Sequence, residues 1–191
     1  MATLETAIRL GHGVLTDAAP ADSGADAILV EAARAGDRAA FGRLYHRYAR
    51  VVHGILLARV PRTEVDDLVQ DVFLRAMGQL HTLRDAAFFP GWLCTIARNC
   101  ANDFYRRRRP ADELPEALPG KSTAEEAEAR AALEAIRALP EAYRDTLILR
   151  LVEGLTGQEI AGRTGLTPGS VRVNLHRGMK LLREKLGRTE Q

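Results

Sequence analysis

A chain of 191 residues with 46% hydrophobic content and a formal net charge of +2 can build one medium domain or two small ones, each near the lower limit for burying a self-sufficient core. No apolar run approaches the 18 or so residues of a membrane span, and the N-terminus lacks a basic region followed by an apolar core and a small-residue cleavage site. Membrane insertion and secretion are therefore disfavoured, and a cytoplasmic protein is expected. The net charge is +6 over residues 27–109, −4 over 110–130 and +3 over 131–191, so two basic blocks flank an acidic one.

Residues 1–26 are rich in Ala, Gly and Thr without clear periodicity and are expected to form a flexible leader. Residues 27–35 resemble a short helix ended by Gly36. Asp37 is a plausible N-cap for a helix to about Arg59, with Phe41, Leu44, Tyr45, Tyr48, Val52, Ile55 and Leu56 as its apolar face and Pro61 as its stop. Thr63 with Asp66 resembles another cap, launching TEVDDLVQDVFLRAMGQL, whose Val65, Leu68, Val69, Val72, Phe73, Ala76 and Leu80 face inward. That leaves Asp66, Asp67, Gln70 and Asp71 together on an exposed face. Carboxylates near a helix N-terminus are favoured by the dipole, which accounts for Asp66 and Asp67 better than for Asp71.

A short loop leads to a helix from about Phe89 to Arg109, with Trp92, Leu93, Ile96, Ala97, Cys100 and Phe104 available for packing. It ends in four consecutive arginines, Arg106, Arg107, Arg108 and Arg109, beside Tyr105. With Arg98, Asn99 and Asn102 about two turns earlier, this is a basic and aromatic surface suited to a nucleic-acid backbone. The macrodipole also favours arginines at a helix C-terminus, so the run alone is weak evidence. Cys94 and Cys100 match neither a tetrahedral zinc spacing nor C-x-x-C and diverge on a helix. They are packing residues by expectation, with no metal, no cofactor and no redox enzyme implied.

The acidic stretch PADELPEALPGKSTAEEAEA combines Pro, Gly, Ser and charge and marks a linker, so two domains on a tether are expected. The most informative segment follows at residues 155–186. Thr156 with Glu159 fits a capping box, and Gly165 suits a left-handed helix exit. Thr167 and Pro168 then fit the N-cap and first position of a new helix. In that helix Val171, Leu175, Gly178, Leu182 and Leu186 form one buried stripe, while Ser170, Arg172, Asn174, His176, Arg177 and Lys180 lie opposite. This is the outline of a helix-turn-helix DNA reader.

The motifs AFGRLYHRY, DDLVQDVFLRA, FFPGWLCTIARN with the following RRRR, LPEAYRDTLILRLVEGLTGQEIA and SVRVNLHRG occur in order. In that order they resemble the extracytoplasmic-function sigma factors of bacterial RNA polymerase, over nearly all of residues 27–187. The resemblance implies an all-α fold of two small helical domains: region 2 at 27–109, a flexible acidic linker at 110–130, and the region 4 helix-turn-helix at 131–187. It implies a polymerase specificity subunit without catalytic chemistry of its own, whose partners are core polymerase and promoter DNA, and an anti-sigma protein as regulator. Asp66, Asp67, Gln70 and Asp71 would dock on the clamp helices of the largest polymerase subunit. The minus-ten element would be opened by Arg84, Asp85, Phe88 and Trp92, with Arg98, Asn99 and Arg106 to Arg109 on the backbone. The minus-thirty-five element would be read by Arg172, Asn174 and Arg177, with Thr167, Ser170, His176 and Lys180 as phosphate or flanking contacts. The linker is either a nucleic-acid mimic in a polymerase channel or a solvated tether. The competing function is a conventional helix-turn-helix regulator that acts without polymerase. Departures from the family pattern fall at Pro90, Gly91, Val173, Asn174 and Gly178.

Overall fold

The computed structural model describes residues 23–107 and 124–189. Most of the expected leader and linker, and with them Arg108 and Arg109, lie outside the described residues. Helix α1 (Ser23–Arg34) begins inside the segment read as leader. It is fastened to the next helix by Asp26, a buried carboxylate that accepts the Tyr48 hydroxyl at 2.6 Å and pairs with Arg47. Gly36, at φ +98°, turns the chain where a side chain would be strained.

Helix α2 (Arg38–Leu57) starts where expected, because Asp37 Oδ1 accepts the amides of Ala39 at 2.8 Å and Ala40 at 3.0 Å. The Thr63 cap is not made. Pro61 instead opens a one-turn 3-10 segment (Arg62–Glu64), and α3 (Val65–Gln79) follows without a side-chain cap. The Glu64 and Val65 amides are satisfied by the carbonyls of Pro61 and Arg62, which leaves Thr63 no capping role. A further 3-10 turn (Ala86–Phe88), capped by Asp85 on the Ala87 amide at 2.9 Å, leads into α4 (Phe89–Arg107). Pro90 sits in the first turn of α4, where a missing N–H costs nothing. Helices α1 to α4 close around Leu44, Val52, Ile55, Val72, Phe89, Leu93 and Ala97.

The second group comprises α5 (Ala124–Arg137), α6 (Glu141–Leu151), α7 (Gly157–Thr164) and α8 (Pro168–Thr189). Its core is Ile136, Leu139, Leu147, Ile148 and Leu182. No strand occurs among the described residues, and no described helix is long and apolar enough to cross a membrane.

The two groups are not held apart. Leu149, Leu155, Ile160, Ala161 and Val171 of the second group belong to the same buried cluster as the core of the first. Joining is possible because two glycines admit a close approach, of side chains at Gly54 and of backbone at Gly165. A β-carbon on Gly54 of α2 would stand 2.9 Å from Leu149 Cδ2, and one on Gly165 would stand 3.4 Å from the Gly91 backbone. Two small cores of marginal size thus complete each other.

Candidate nucleic-acid interface

The helix-turn-helix is assembled by local chemistry. Thr156 Oγ1 accepts the Glu159 amide at 3.2 Å while Glu159 Oε2 accepts the Thr156 amide at 2.8 Å, so the capping box is closed. Burial alone would raise the Glu159 pKa, but the Thr156 backbone and hydroxyl bonds, with Arg163 nearby, outweigh it and hold the carboxyl below its ordinary value. Gly165, at φ +75°, ends α7 in the left-handed conformation. Thr167 Oγ1 then accepts the Ser170 amide at 3.1 Å and starts α8. Val171 and Leu182 are buried with Gly178, and Leu175 and Leu186 are half-buried, so the stripe faces inward. Gly178 has a packing reason, since a β-carbon there would lie 3.0 Å from Leu147 Cδ1.

On the outer face Thr167, Ser170, Arg172, His176, Arg177 and Lys180 are exposed and Asn174 is half-buried. Thr167 and Ser170 are also bound to each other at 2.8 Å, so both are tied into the cap. Val173, 43% exposed, shares this face and adds an apolar contact of the kind a thymine methyl accepts.

The loop before α4 shows a different arrangement. Phe88 is 69% exposed, a large aromatic ring with little to cover it, and Arg84 and Asp85 are exposed beside it. Asp85 spends one oxygen on the Ala87 amide, so it shapes the loop as well as facing solvent. Trp92 is half-buried and lies 5.9 Å from the Phe89 ring, packed on the core rather than presented with Phe88. Along α4, Asn99, Asn102, Tyr105, Arg106 and Arg107 are exposed. Asn99, Asn102 and Arg106 line a polar groove with Arg75, Gln79 and Asp103. Asp103 holds Arg75 at 2.9 Å and Arg106 at 2.9 Å, fixing two cations along that groove.

Arg98 is not free for a ligand. Its Nε and Nη2 each donate to Asp145 Oδ2 at 3.1 Å, and Nε lies 3.2 Å from Glu141 Oε1. Arg59 enters the same cluster, with Nη1 on Asp145 Oδ1 at 2.5 Å and Nη2 on Glu141 Oε1 at 2.8 Å. Sequence reasoning misses Arg59, Glu141 and Asp145. The one available signal is Asp145 itself, a carboxylate leading the buried run Thr146, Leu147, Ile148 and Leu149.

On α3, Asp66, Asp67, Gln70 and Asp71 are all exposed. The sequence reading omits Leu74 and Met77, which at 67% and 52% exposure continue the face of Asp67, Gln70 and Asp71 at helical spacing. An acidic half-strip therefore runs into an apolar one, unlike a merely solvated helix face.

Profiles of two protein families match this chain: Sigma-70 region 2 over residues 44–111, and Sigma-70, region 4 over residues 129–182. The chain is 34% identical over 170 residues to the RNA polymerase sigma factor CarQ of Myxococcus xanthus, an alignment spanning 84% of this chain and 97% of that protein. It is 30% identical over 183 residues to the ECF RNA polymerase sigma-E factor of Haemophilus influenzae, spanning 84% and 95%. Among solved structures, CnrH in complex with the cytosolic domain of CnrY is similar at a TM-score of 0.58 and 28% identity, over 85% of this chain and 97% of that one.

Proposed function

We propose, for a chain that belongs to the extracytoplasmic-function sigma factors of RNA polymerase, how its surfaces divide the work of directing core polymerase to a promoter and opening it. The acidic and apolar strip of α3, from Asp66 to Met77, docks on core polymerase, on the clamp helices of its largest subunit. Carboxylates at Asp66, Asp67 and Asp71 select a basic partner, and Leu74 and Met77 supply the apolar area that charge alone does not.

The α8 face reads duplex DNA at the minus-thirty-five element. Arg172 and Arg177 can each present a two-pronged donor to a guanine edge, and Asn174 an amide to an adenine edge. Thr167, Ser170, His176 and Lys180 hold flanking phosphates. The loop with Arg84, Asp85 and Phe88 acts at the minus-ten element. Taking a base from the stack costs a few kcal/mol, and an exposed ring such as Phe88 returns part of that by stacking. Trp92 supports the loop from below through Phe89. Asn99, Arg106 and Arg107 track the backbone along α4.

The division into region 2, linker and region 4, and action in the cytoplasm, follow the same reading. So does an anti-sigma partner, by analogy with CnrH, which is solved with the cytosolic domain of CnrY. The observation that carries this function is the pairing, on one chain, of a basic reader face on α8 with an acidic and apolar strip on α3. A regulator acting on DNA without polymerase would leave the strip without a partner. Transcription in vitro with core polymerase on genomic templates, with mapped start sites, is the test. A chain that neither joins core polymerase nor directs RNA synthesis from any start point would refute it.

A further inference from the structure

A further cleft opens where the turn between α1 and α2 meets the C-terminal end of α3. Its volume is about 580 Å³, within the range of small-molecule sites. Phe41, Met77, Leu80 and Leu83 give it an apolar half, and Arg34, Arg38, His81 and Arg84 give it a basic half. Phe41 is half-buried and held edge-to-face by Phe73, the ring centres 6.4 Å apart, so its ring is fixed in the wall. Met77 is 52% exposed, leaving thioether surface that the fold itself does not cover.

The charge of the basic half is not balanced within the described residues. Asp37 is the only carboxylate among the lining residues. Its Oδ1 is committed to the amides of Ala39 and Ala40, and its Oδ2 lies 3.9 Å from Arg43, which does not line the cleft. Arg34 is anchored, with Nε donating to the Leu80 carbonyl at 3.2 Å and Nη1 to Glu31 at 2.6 Å, and its enclosed Nη2 has no hydrogen-bond partner. Arg38, His81 and Arg84 are exposed, and no described carboxylate holds any of them. Cations gathered without counterions repel one another, and an anion that enters relieves the repulsion. Guanidinium forks favour phosphate in particular, since two parallel donors match two of its oxygens.

An apolar half and a cationic half in one cleft fit a ligand with a flat ring at one end and phosphates at the other. We propose that the cleft binds a free nucleoside phosphate, with the base against Phe41 and Met77 and the phosphates on Arg38, His81 and Arg84. The base stacks on a side chain that is already fixed, so little ordering is left to oppose binding. No residue of α4 lines the cleft, whereas the opened promoter strand is assigned to α4, so the ligand is a separate molecule rather than that strand. Met77 and Arg84 place it between the polymerase strip and the minus-ten loop. Inorganic phosphate alone leaves the apolar half empty, and a nucleoside without phosphates leaves the cations unmatched. Each should therefore bind far more weakly than the two joined.

The test titrates the full chain into ATP or GTP carrying a fluorescent ribose label and follows anisotropy. Unlabelled triphosphate, the matching nucleoside, inorganic phosphate and a single-stranded oligonucleotide of mixed sequence serve as competitors. Arg38→Ala with His81→Ala strips much of the cationic half, and since both residues are exposed the fold persists, as circular dichroism checks. His176→Ala with Arg183→Ala removes the same side-chain types from α8 and controls for general attraction to a basic surface. Expected are saturable binding of at least one labelled nucleotide, displacement by its unlabelled form, and competition at least about tenfold weaker by nucleoside or by inorganic phosphate. The cleft variant should lose at least about tenfold in affinity and the α8 control less than about twofold. The proposal is overturned if neither labelled nucleotide binds saturably, if inorganic phosphate competes as well as the triphosphate, if the oligonucleotide is the tighter competitor, or if the cleft variant loses no more than the control. Should the cleft variant lose its helical signal, Arg84→Ala decides in its place. None of these readouts involves polymerase or promoter DNA, so failure of the nucleotide site and failure of the promoter-directing reading show in separate experiments.

Discussion

Gly54 of α2 faces Leu149 of α6 across the junction of the two helical groups, so closely that an added β-carbon would stand 2.9 Å from Leu149 Cδ2 and 3.0 Å from Glu153 Cγ. Alanine in place of this glycine gains about 1 kcal/mol of helix propensity. It also overpacks a site lined by fully buried Ile148 and Leu149, at about 1 to 3 kcal/mol. The second effect is expected to win because both neighbours are fully buried and three atoms would stand within 3.1 Å of the new methyl group. Gly54→Ala is therefore expected to lower the urea midpoint of the full chain, whereas a raised midpoint would mean that the junction accommodates the added methyl group without strain.

What the sequence makes legible is chiefly local. Asp37, the Thr156 and Glu159 pair, Gly165 and the Val171 to Leu182 stripe each depend on residues within a few turns, and the structure has them all as expected. Thr63 fails as a cap because Pro61 diverts the chain into a 3-10 turn first. The junction is invisible for a different reason. Arg59 meets Asp145 across 86 positions and His53 meets Glu153 across 100, and no periodicity couples residues so distant. The same blindness affects the site. Exposure of Arg172 and Arg177 and the packing of Trp92 follow from pattern, and Phe88 is reached only through the family resemblance, but the occupation of Arg98 by Asp145 depends on tertiary packing.

The capping box of α7 makes a pH-dependent prediction. Glu159 is held below its ordinary value of 4.5, so the folded state favours its charged form more than the unfolded state does. Its contribution is thus present in full above that ordinary value and is lost as pH falls through the lower folded one. Glu159→Gln keeps an oxygen that can accept the Thr156 amide and loses only the charge, so it should cost about 0.3 to 1 kcal/mol near neutral pH. The gap from the parent chain should narrow as the solution is acidified below 4.5, as followed by urea midpoints across pH. A gap independent of pH would show that the carboxylate charge is not what closes the box.

On α8, Arg172→Ala or Arg177→Ala is expected to weaken binding to a promoter fragment in the presence of core polymerase. The loss is about 1 to 3 kcal/mol if the side chain meets a base edge, with relaxed preference at one position of the minus-thirty-five element. Lys180→Ala should instead weaken all sequences alike and make the logarithmic salt slope shallower by about one, as a phosphate contact does. A selection over randomised minus-thirty-five sequences separates the two. Unchanged preferences in both arginine variants would remove them from the reading of sequence.

The α3 strip separates polymerase docking from DNA reading. Asp67 and Asp71 are exposed, one turn apart and clear of the core, so Asp67→Arg or Asp71→Arg leaves the packing of Val65, Val69, Val72 and Phe73 intact. In the proposed docking each change reverses a charge that would face a basic partner, and like charges placed opposite each other at an interface cost several kcal/mol. Leu74→Ser tests the apolar half: its 67% exposure means little stability is lost on folding, while the area it would bury on docking is lost in full. All three variants are expected to keep the thermal midpoint and the affinity of the free chain for duplex DNA. Their affinity for core polymerase should fall at least about tenfold, with a matching loss of transcript. Affinity for polymerase retained by both charge-reversed variants would assign the strip to some other partner.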